Sequence, residues 1–427
     1  MMSSAEETRL PLPAAWETFA QRALYWASSF THCMLLDSNS QPSFGVEWLL
    51  AADALEVYDA SAGQTQDWET LFESARQGTI YGRISFDVYA AIFSLCDTRE
   101  GADSSGFHFF RPRFVLEKKG EWLVINRRTP EALAIIQAIE QIAIPSQEAA
   151  SGTVDCMIER DTYIRQVEDI QERIREGDFY EINYCIPYRV VGWQGNPVTL
   201  FLLANERNAS PMSAFYRYGD RYILCTSPER FLQRQDRQLL AQPIKGTIRR
   251  SDNVEENAAL CRQLAESAKE RAENIMIVDL VRHDLAQSCA PGSVVVEELC
   301  GIYPFKRVNH MISTIRGTIR EEVTPGAVLR AAFPMGSMTG APKREVLRQL
   351  PHWEMLHRGD YSGSIGYIHP GGDFDFNVLI RSFFYDASSG EMLFWSGSAI
   401  TLDAQAEAEW DEIQLKIAPL REVVQNG

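Results

Sequence analysis

The 427-residue chain has no apolar run approaching the roughly 20 residues that span a bilayer. Its opening, MMSSAEETRL, lacks the basic and apolar regions of a secretory leader, so a cytoplasmic protein is expected. Positive charge is also scarce: 41 Lys and Arg against 58 Asp and Glu give a net charge of −17. That balance opposes non-specific binding to nucleic acid or to an anionic membrane, and neither is expected as a partner. An anionic substrate therefore needs a local island of positive charge. The eight cysteines (Cys33, Cys96, Cys156, Cys185, Cys225, Cys261, Cys289 and Cys300) form no C-x-x-C and no Cys/His ligand spacing. Reduced core thiols are expected, with neither disulfides nor a zinc site.

What the chain does have is 45% apolar and 23% charged residues, enough for a large buried core and incompatible with a disordered or collagen-like polymer. The one plausible seam lies near 143–153, dividing an N-terminal part (1–150) from a larger second part (151–427), read together as one intertwined unit. Before the seam, Thr129-Pro130-Glu131 predicts an N-cap and a proline in the first turn of a helix carrying Leu133, Ile136 and Ile139. After it, a helix beginning at Asp161 aligns Tyr163, Ile164, Val167, Ile170 and Ile174 and stops at Gly177. Arg221–Thr226, Gln238–Ile244, Gly292–Glu297 and Glu391–Trp395 read as strands. Strands and helices alternate without a βαβ rhythm, which predicts an α+β fold with large antiparallel sheets rather than a doubly wound one.

Several positions carry chemistry. Lys245, in Gln242-Pro243-Ile244-Lys245-Gly246-Thr247, ends an apolar strand; it is either an ordinary solvated lysine or, beside cationic or apolar neighbours, a free amine and nucleophile. Glu229, in Thr226-Ser227-Pro228-Glu229-Arg230-Phe231, either pairs with Arg230 or caps a turn, or else is a general acid with a raised pKa. Glu270 and Glu273 share a helical face at the end of one helix, and Glu409 and Glu412 share another, with Lys416 a turn beyond. Four carboxylates converging from two helices suit a hard divalent cation such as Mg²⁺. Phe333-Pro334-Met335-Gly336-Ser337-Met338-Thr339-Gly340-Ala341-Pro342-Lys343 runs from a helix through a turn to a helix start, without the spacing of a P-loop. Tyr361–Tyr367 and Phe376–Arg381 read as neighbouring strands, and an arginine in such a strand calls for a carboxylate from the protein or a ligand.

With these motifs in order, the sequence resembles the chorismate-utilising enzymes, the group that includes anthranilate, aminodeoxychorismate, isochorismate and salicylate synthases. The resemblance covers roughly 155–420, from Gly177-Asp178 to Glu409-Trp410-Asp411-Glu412, and is fainter at Met34-Leu35-Leu36-Asp37-Ser38. It implies that family's fold, antiparallel sheets packed as a sandwich with surrounding helices. It also implies roles: Lys245 and Glu229 catalytic; Glu273 and Glu412 binding Mg²⁺, with Glu270 and Glu409 acting through water or around the ion. Tyr361, Arg381 and Lys416, with Gly397, would bind a side-chain carboxylate of chorismate, and Thr247, His310, Gly340 and Ala341 would line the ring site. Lys at 245 and Asn183 are similar to the members that aminate chorismate at carbon 4 in the folate route, whereas anthranilate synthases carry alanine at the lysine position and hydroxylating members carry a lysine at the Asn183 position. Ammonia would come from a separate glutaminase subunit. An anthranilate synthase component I and a non-catalytic binding protein are the rival expectations. His283, Met335 and Ala399 depart from the usual residues, and Ala399 is expected either to crowd the carboxylate site or to change the backbone. Leu36-Asp37-Ser38 is similar to a tryptophan pocket in some relatives, with an ordinary strand end as the alternative.

Overall fold

The computed structural model describes residues 7–41, 45–61, 67–97, 99, 105–145 and 151–426, so 146–150 of the expected seam lie outside the described residues. Every strand pairing between named strands is antiparallel, and together they form one continuous ribbon. From one end it runs through Glu181–Val191, Glu391–Ile400, Ser382–Asp386, Arg221–Ser227, Met212–Tyr218, His32–Asp37 and Trp48–Ser61. It continues through Ser105–Lys119, Ile80–Ile84, Ser364–Ile368, Phe374–Asn377, Arg230–Gln235 and Gln238–Gln242 to Val308–Thr318.

The ribbon turns back on itself at the two long strands in its middle. Their register slips between Ala54 and Glu56, and an irregularity of that kind bends a sheet. Met34, Ala214, Tyr216 and Ile223 from one arm then meet Tyr81, Phe110 and Ile365 from the other in a shared apolar core. Helices cover both outer faces. Trp16–Ala27, Arg160–Glu176, Pro197–Asn208 and Ala406–Asn426 cover the first arm, against Tyr184, Tyr188, Phe215 and Phe394. Asp67–Ala75, Ala268–Ala286 and Pro325–Ala332 cover the second, against Phe231, Leu239, Ile315 and Phe374. The sandwich with flanking helices is the expected α+β architecture.

Local readings hold with adjustments. The helix Arg160–Glu176 stops at Gly177 with φ +89°, as predicted. Thr129 is the first residue of its helix rather than the cap; Arg128 holds the cap position without a side-chain hydrogen bond. The strand expected at Gly292–Glu297 is Val295–Pro304, displaced because Gly292 takes a positive φ of 77° that ends the preceding turn. The thiols are free, and five are buried as expected, but Cys96 is exposed. Among the described residues no helix is long and apolar enough to cross a membrane.

Gly340 fixes one edge of the ribbon. It pairs with Ile182 at φ +149°, and a Cβ there would stand 2.1 Å from the Glu181 carbonyl oxygen. Gly340→Ala is therefore expected to destabilise the fold by about 1–3 kcal/mol, as overpacking does, read as a lower urea midpoint at constant slope; an unchanged midpoint would show that the contact is soft.

Candidate active site

Lys245 sits where a strand fails to continue. Pro243 has no N–H for the ladder, and the strand expected over Gln238–Ile244 breaks into Gln238–Gln242 and Ile244–Arg249. Lys245 thus opens the second strand rather than ending the first. Register against Val308–Thr318 shifts between Ile244 and Thr247, and Gly246 turns at φ +91°. Asn274, buried on the helix Ala268–Ala286, donates to the Lys245 carbonyl (3.5 Å) and the Met311 carbonyl (3.4 Å), tying down this irregular segment.

The Lys245 side chain is only 13% exposed, which removes the solvated reading, and Nζ lies 3.5 Å from Glu181 Oε1. Its surroundings are the reverse of those expected. Burial opposes the ammonium, but the carboxylates of Glu181, Glu273, Glu229 and Glu412 outweigh it and raise the pKa. The lysine is held as a cation, and amine chemistry requires that a proton leave first.

Glu229 lies in the connection between Arg221–Ser227 and Arg230–Gln235 and is 4% exposed. Pairing with Arg230 does not occur, because that guanidinium is engaged by Asp375 and Gln242. Burial raises the Glu229 pKa to about 7, with the Ser337 hydroxyl, Lys245, the Ile244 amide and Arg381 opposing it only in part. An acid near half protonation at neutral pH is suited to giving a proton and taking one back.

Arg381 was expected inside a strand. The strand instead ends at Asn377, and Arg381 adopts φ +51° with its carbonyl accepting the Thr226 N–H (3.2 Å) and Oγ1–H (2.9 Å). Its guanidinium makes no hydrogen bond or ion pair with the described residues. Burial lowers its pKa to about 10, with Glu229 opposing the fall. Across the sheet, His310 pairs with Thr247, Nδ1 to Oγ1 at 2.8 Å. Burial, with Arg381 nearby, keeps His310 neutral by lowering its pKa far below the usual histidine value. Its Nε2 is buried and has no hydrogen-bond partner among the described residues. Thr247 itself is exposed.

Asn183 and the Gly340-Ala341 turn are joined by backbone: the Asn183 N–H donates to Thr339 O at 2.7 Å. Arg358, wholly buried, locks this corner by donating to the carbonyls of Asn183 (2.9 Å) and Met338 (2.7 Å) and to the Glu354 carboxylate (2.7 Å). Tyr361 stacks on Trp395 at 5.6 Å between ring centres. Gly397 leaves no room for a side chain, since a Cβ would stand 2.5 Å from Cys185 Sγ. Lys416 donates to the Gly397 carbonyl (3.0 Å) and pairs with Glu412 (2.7 Å). Ala399 continues its strand in register with Asn183 at a negative φ, so the altered backbone expected there does not occur. Met335 is buried and His283 exposed.

The acidic residues arrive on two helices. Glu270 and Glu273 stand near the start of Ala268–Ala286, which Ser267 caps, rather than at a helix end. Glu409 and Glu412 come from Ala406–Asn426. Between the pairs stands Lys269, its Nζ 3.2 Å from Glu409, 3.8 Å from Glu273 and 4.0 Å from Glu412. Burial raises the Glu273 pKa to about 7 and also raises that of Glu270; for Glu412, the neighbouring lysines, Lys416 foremost, outweigh burial and lower it. The donor set is right for a hard cation, and an ammonium already stands in for one. As they lie, however, no three metal-ligating side chains among the described residues form a cluster tight enough to hold an ion. Lys269, Glu181 and Ser337 were not singled out in the sequence; a charged residue inside the apolar strand Glu181–Val191 was the one available signal.

The stretch Leu36-Asp37-Ser38 ends the strand His32–Asp37 and borders a cavity of about 30 Å³ with Val46, Met212 and Tyr367.

A family model described as chorismate binding enzyme matches residues 14–422. Aminodeoxychorismate synthase component 1 of Escherichia coli (strain K12) is 38% identical over 253 residues, 59% of this chain and 55% of that protein. Anthranilate synthase component 1 of Saccharolobus solfataricus is 31% identical over 271 residues, 63% of each. Both matches span less than two thirds of the relative's length. The crystal structure of anthranilate synthase component I from Streptococcus pneumoniae TIGR4 superposes with a TM-score of 0.76 at 24% identity, covering 87% of this chain and 91% of that one, and so shares the fold.

Glu229 and Glu273 are raised from the ordinary 4.5 to about 7, so between those values the folded chain binds more protons than the unfolded one. Their contribution to stability is full below pH 4.5 and is lost as pH rises through about 7. Glu229→Gln is expected to flatten part of that decline in urea titrations run across the range. A variant retaining the whole pH slope would show that Glu229 ionises normally.

Proposed function

Since the chain belongs to the chorismate binding enzymes, we propose that it is the first component of an aminodeoxychorismate synthase, making 4-amino-4-deoxychorismate from chorismate and ammonia. The observation that carries this reading is a buried lysine and a buried acid of pKa about 7 close enough to act on each other, beside a guanidinium that makes no hydrogen bond or ion pair with the described residues. The names of relatives such as aminodeoxychorismate synthase component 1 support amination.

In the proposed sequence Lys245 first gives up its proton, with Glu181 the nearest base at 3.5 Å. The free amine bonds to ring carbon 2 as the hydroxyl leaves carbon 4, taking a proton from Glu229 and departing as water. Ammonia then bonds to carbon 4, the bond from carbon 2 to Nζ breaks, and the Glu229 carboxylate takes one proton from the new ammonium. Arg381, Tyr361 and Lys416 hold the enolpyruvyl carboxylate, Arg381 through a forked pair of hydrogen bonds. Asn183, Thr247, His310, Gly340, Ala341 and Gly397 shape the ring site, His310 as a neutral donor or acceptor. Glu273 and Glu412, with Glu270 and Glu409 around them, would hold Mg²⁺, which supplies positive charge against the ring carboxylate. Ammonia reaches the site from a separate glutaminase subunit or from solution.

Incubation with chorismate, ammonium and Mg²⁺ is expected to give a non-aromatic aminated product by mass spectrometry. Fluorescent anthranilate would identify the other synthase, and no turnover would identify a binder. Glu229→Gln should lower the rate by about 10²–10⁴-fold, as loss of a positioned acid does. Quenched enzyme should carry a substrate adduct on Lys245, absent in Lys245→Ala; full activity in that variant with no adduct in the parent excludes the covalent route.

Lys269→Gln is expected to tighten Mg²⁺ binding several-fold by calorimetric titration without chorismate, because it removes the competing ammonium. Weaker or unchanged binding would show that Lys269 does not share the ion's place.

A further inference from the structure

Glu229 has two sides. Lys245 and Arg381 act on its carboxylate from the substrate site. The residue also borders a separate cavity of about 20 Å³, which none of Lys245, Arg381 and His310 lines. That is room for one or two molecules the size of water and far too little for a six-membered ring. The walls are mostly apolar: Phe231, Ala241, Pro243, Leu285 and Met335. Its charged lining residues are occupied elsewhere, Arg230 by Asp375 and Asp284 by Lys343.

The exception is Ser337. It lines the cavity, is buried at 6% exposure, and its Oγ has no hydrogen-bond partner among the described residues. The hydroxyl acts on the Glu229 carboxylate but stops short of hydrogen-bond geometry with it. A buried hydroxyl left in this way calls for a small polar guest between the two groups.

We propose, resting on the amination reading above, that this cavity is the seat of the incoming ammonia, with Ser337 Oγ and the Glu229 carboxylate accepting two of its N–H groups. The nitrogen lone pair is then free to attack carbon 4. The balance follows: the proton that Glu229 gave to the departing hydroxyl is replaced by one from the C4 ammonium, leaving a neutral amine and the acid restored. A seat this small excludes larger amines, and Met335 is one of the side chains that bound it.

The test uses the full chain with chorismate, Mg²⁺ and ammonium chloride as nucleophile. Ser337→Ala is expected to raise KM for ammonium about tenfold, the loss of roughly one hydrogen bond, while KM and calorimetric affinity for chorismate stay unchanged. If both KM values rise together, or neither moves, the cavity holds only structural water and the proposal is wrong. Should Ser337→Ala fail to fold, Met335→Ala decides: turnover with methylamine relative to ammonia rises about tenfold, as a pocket one group larger allows, or else stays at the parent value and overturns the assignment. If the unaltered chain yields no aminated product, the amination reading itself fails, and this proposal with it.

Discussion

The contact between Lys245 Nζ and Glu181 Oε1 joins the two ends of the sheet. Glu181 begins a strand close to one end of the ribbon, and Lys245, 64 residues further along the chain, lies in a strand laid on Val308–Thr318 close to the other end. Nothing local brings them together. They meet because the ribbon folds over a shared apolar core, and the ion pair marks where the fold closes. Glu229, Arg381 and His310 all sit on the strands or connections that reach this closure, so the chemistry of the site depends on a tertiary event.

Closure also concentrates charge. In a chain of net charge −17, Lys245, Lys269, Arg381 and Lys416 are gathered with Glu181, Glu229, Glu270, Glu273, Glu409 and Glu412. Burial pushes Glu229, Glu270 and Glu273 up, while the carboxylates around Lys245 outweigh burial and hold it charged. The environment therefore stores protons on both partners of the proposed reaction. Of the four cations, Arg381 makes no hydrogen bond or ion pair with the described residues, which leaves it as the group open to an anion.

The sequence made part of this legible. The acidic pairs could be read because i and i+3 share a helical face whatever the fold, and Lys245 and Glu229 stood out by position, one at the end of a predominantly apolar strand and one just after another. The antiparallel character of the sheets followed from the missing βαβ rhythm. What could not be read was the electrostatic state of Lys245, since its four carboxylate neighbours come from three separate segments and a second helix. The break at Pro243 escaped for a similar reason: Gln238–Ile244 is predominantly apolar and reads as one strand, although Pro243 cannot donate to a ladder. Ser337 was hidden because an unpartnered hydroxyl is a property of packing, not of residue type.

Lys269 has a consequence for the resting protein. Carboxylates packed on facing helices repel one another, and proteins that gather them for an ion often come apart when the ion is withdrawn. Here a tethered ammonium already neutralises part of that repulsion. At the proposed Mg²⁺ site, occupancy by a free cation is then an exchange of one positive charge for another, and withdrawing the ion leaves the two helices bridged by Lys269.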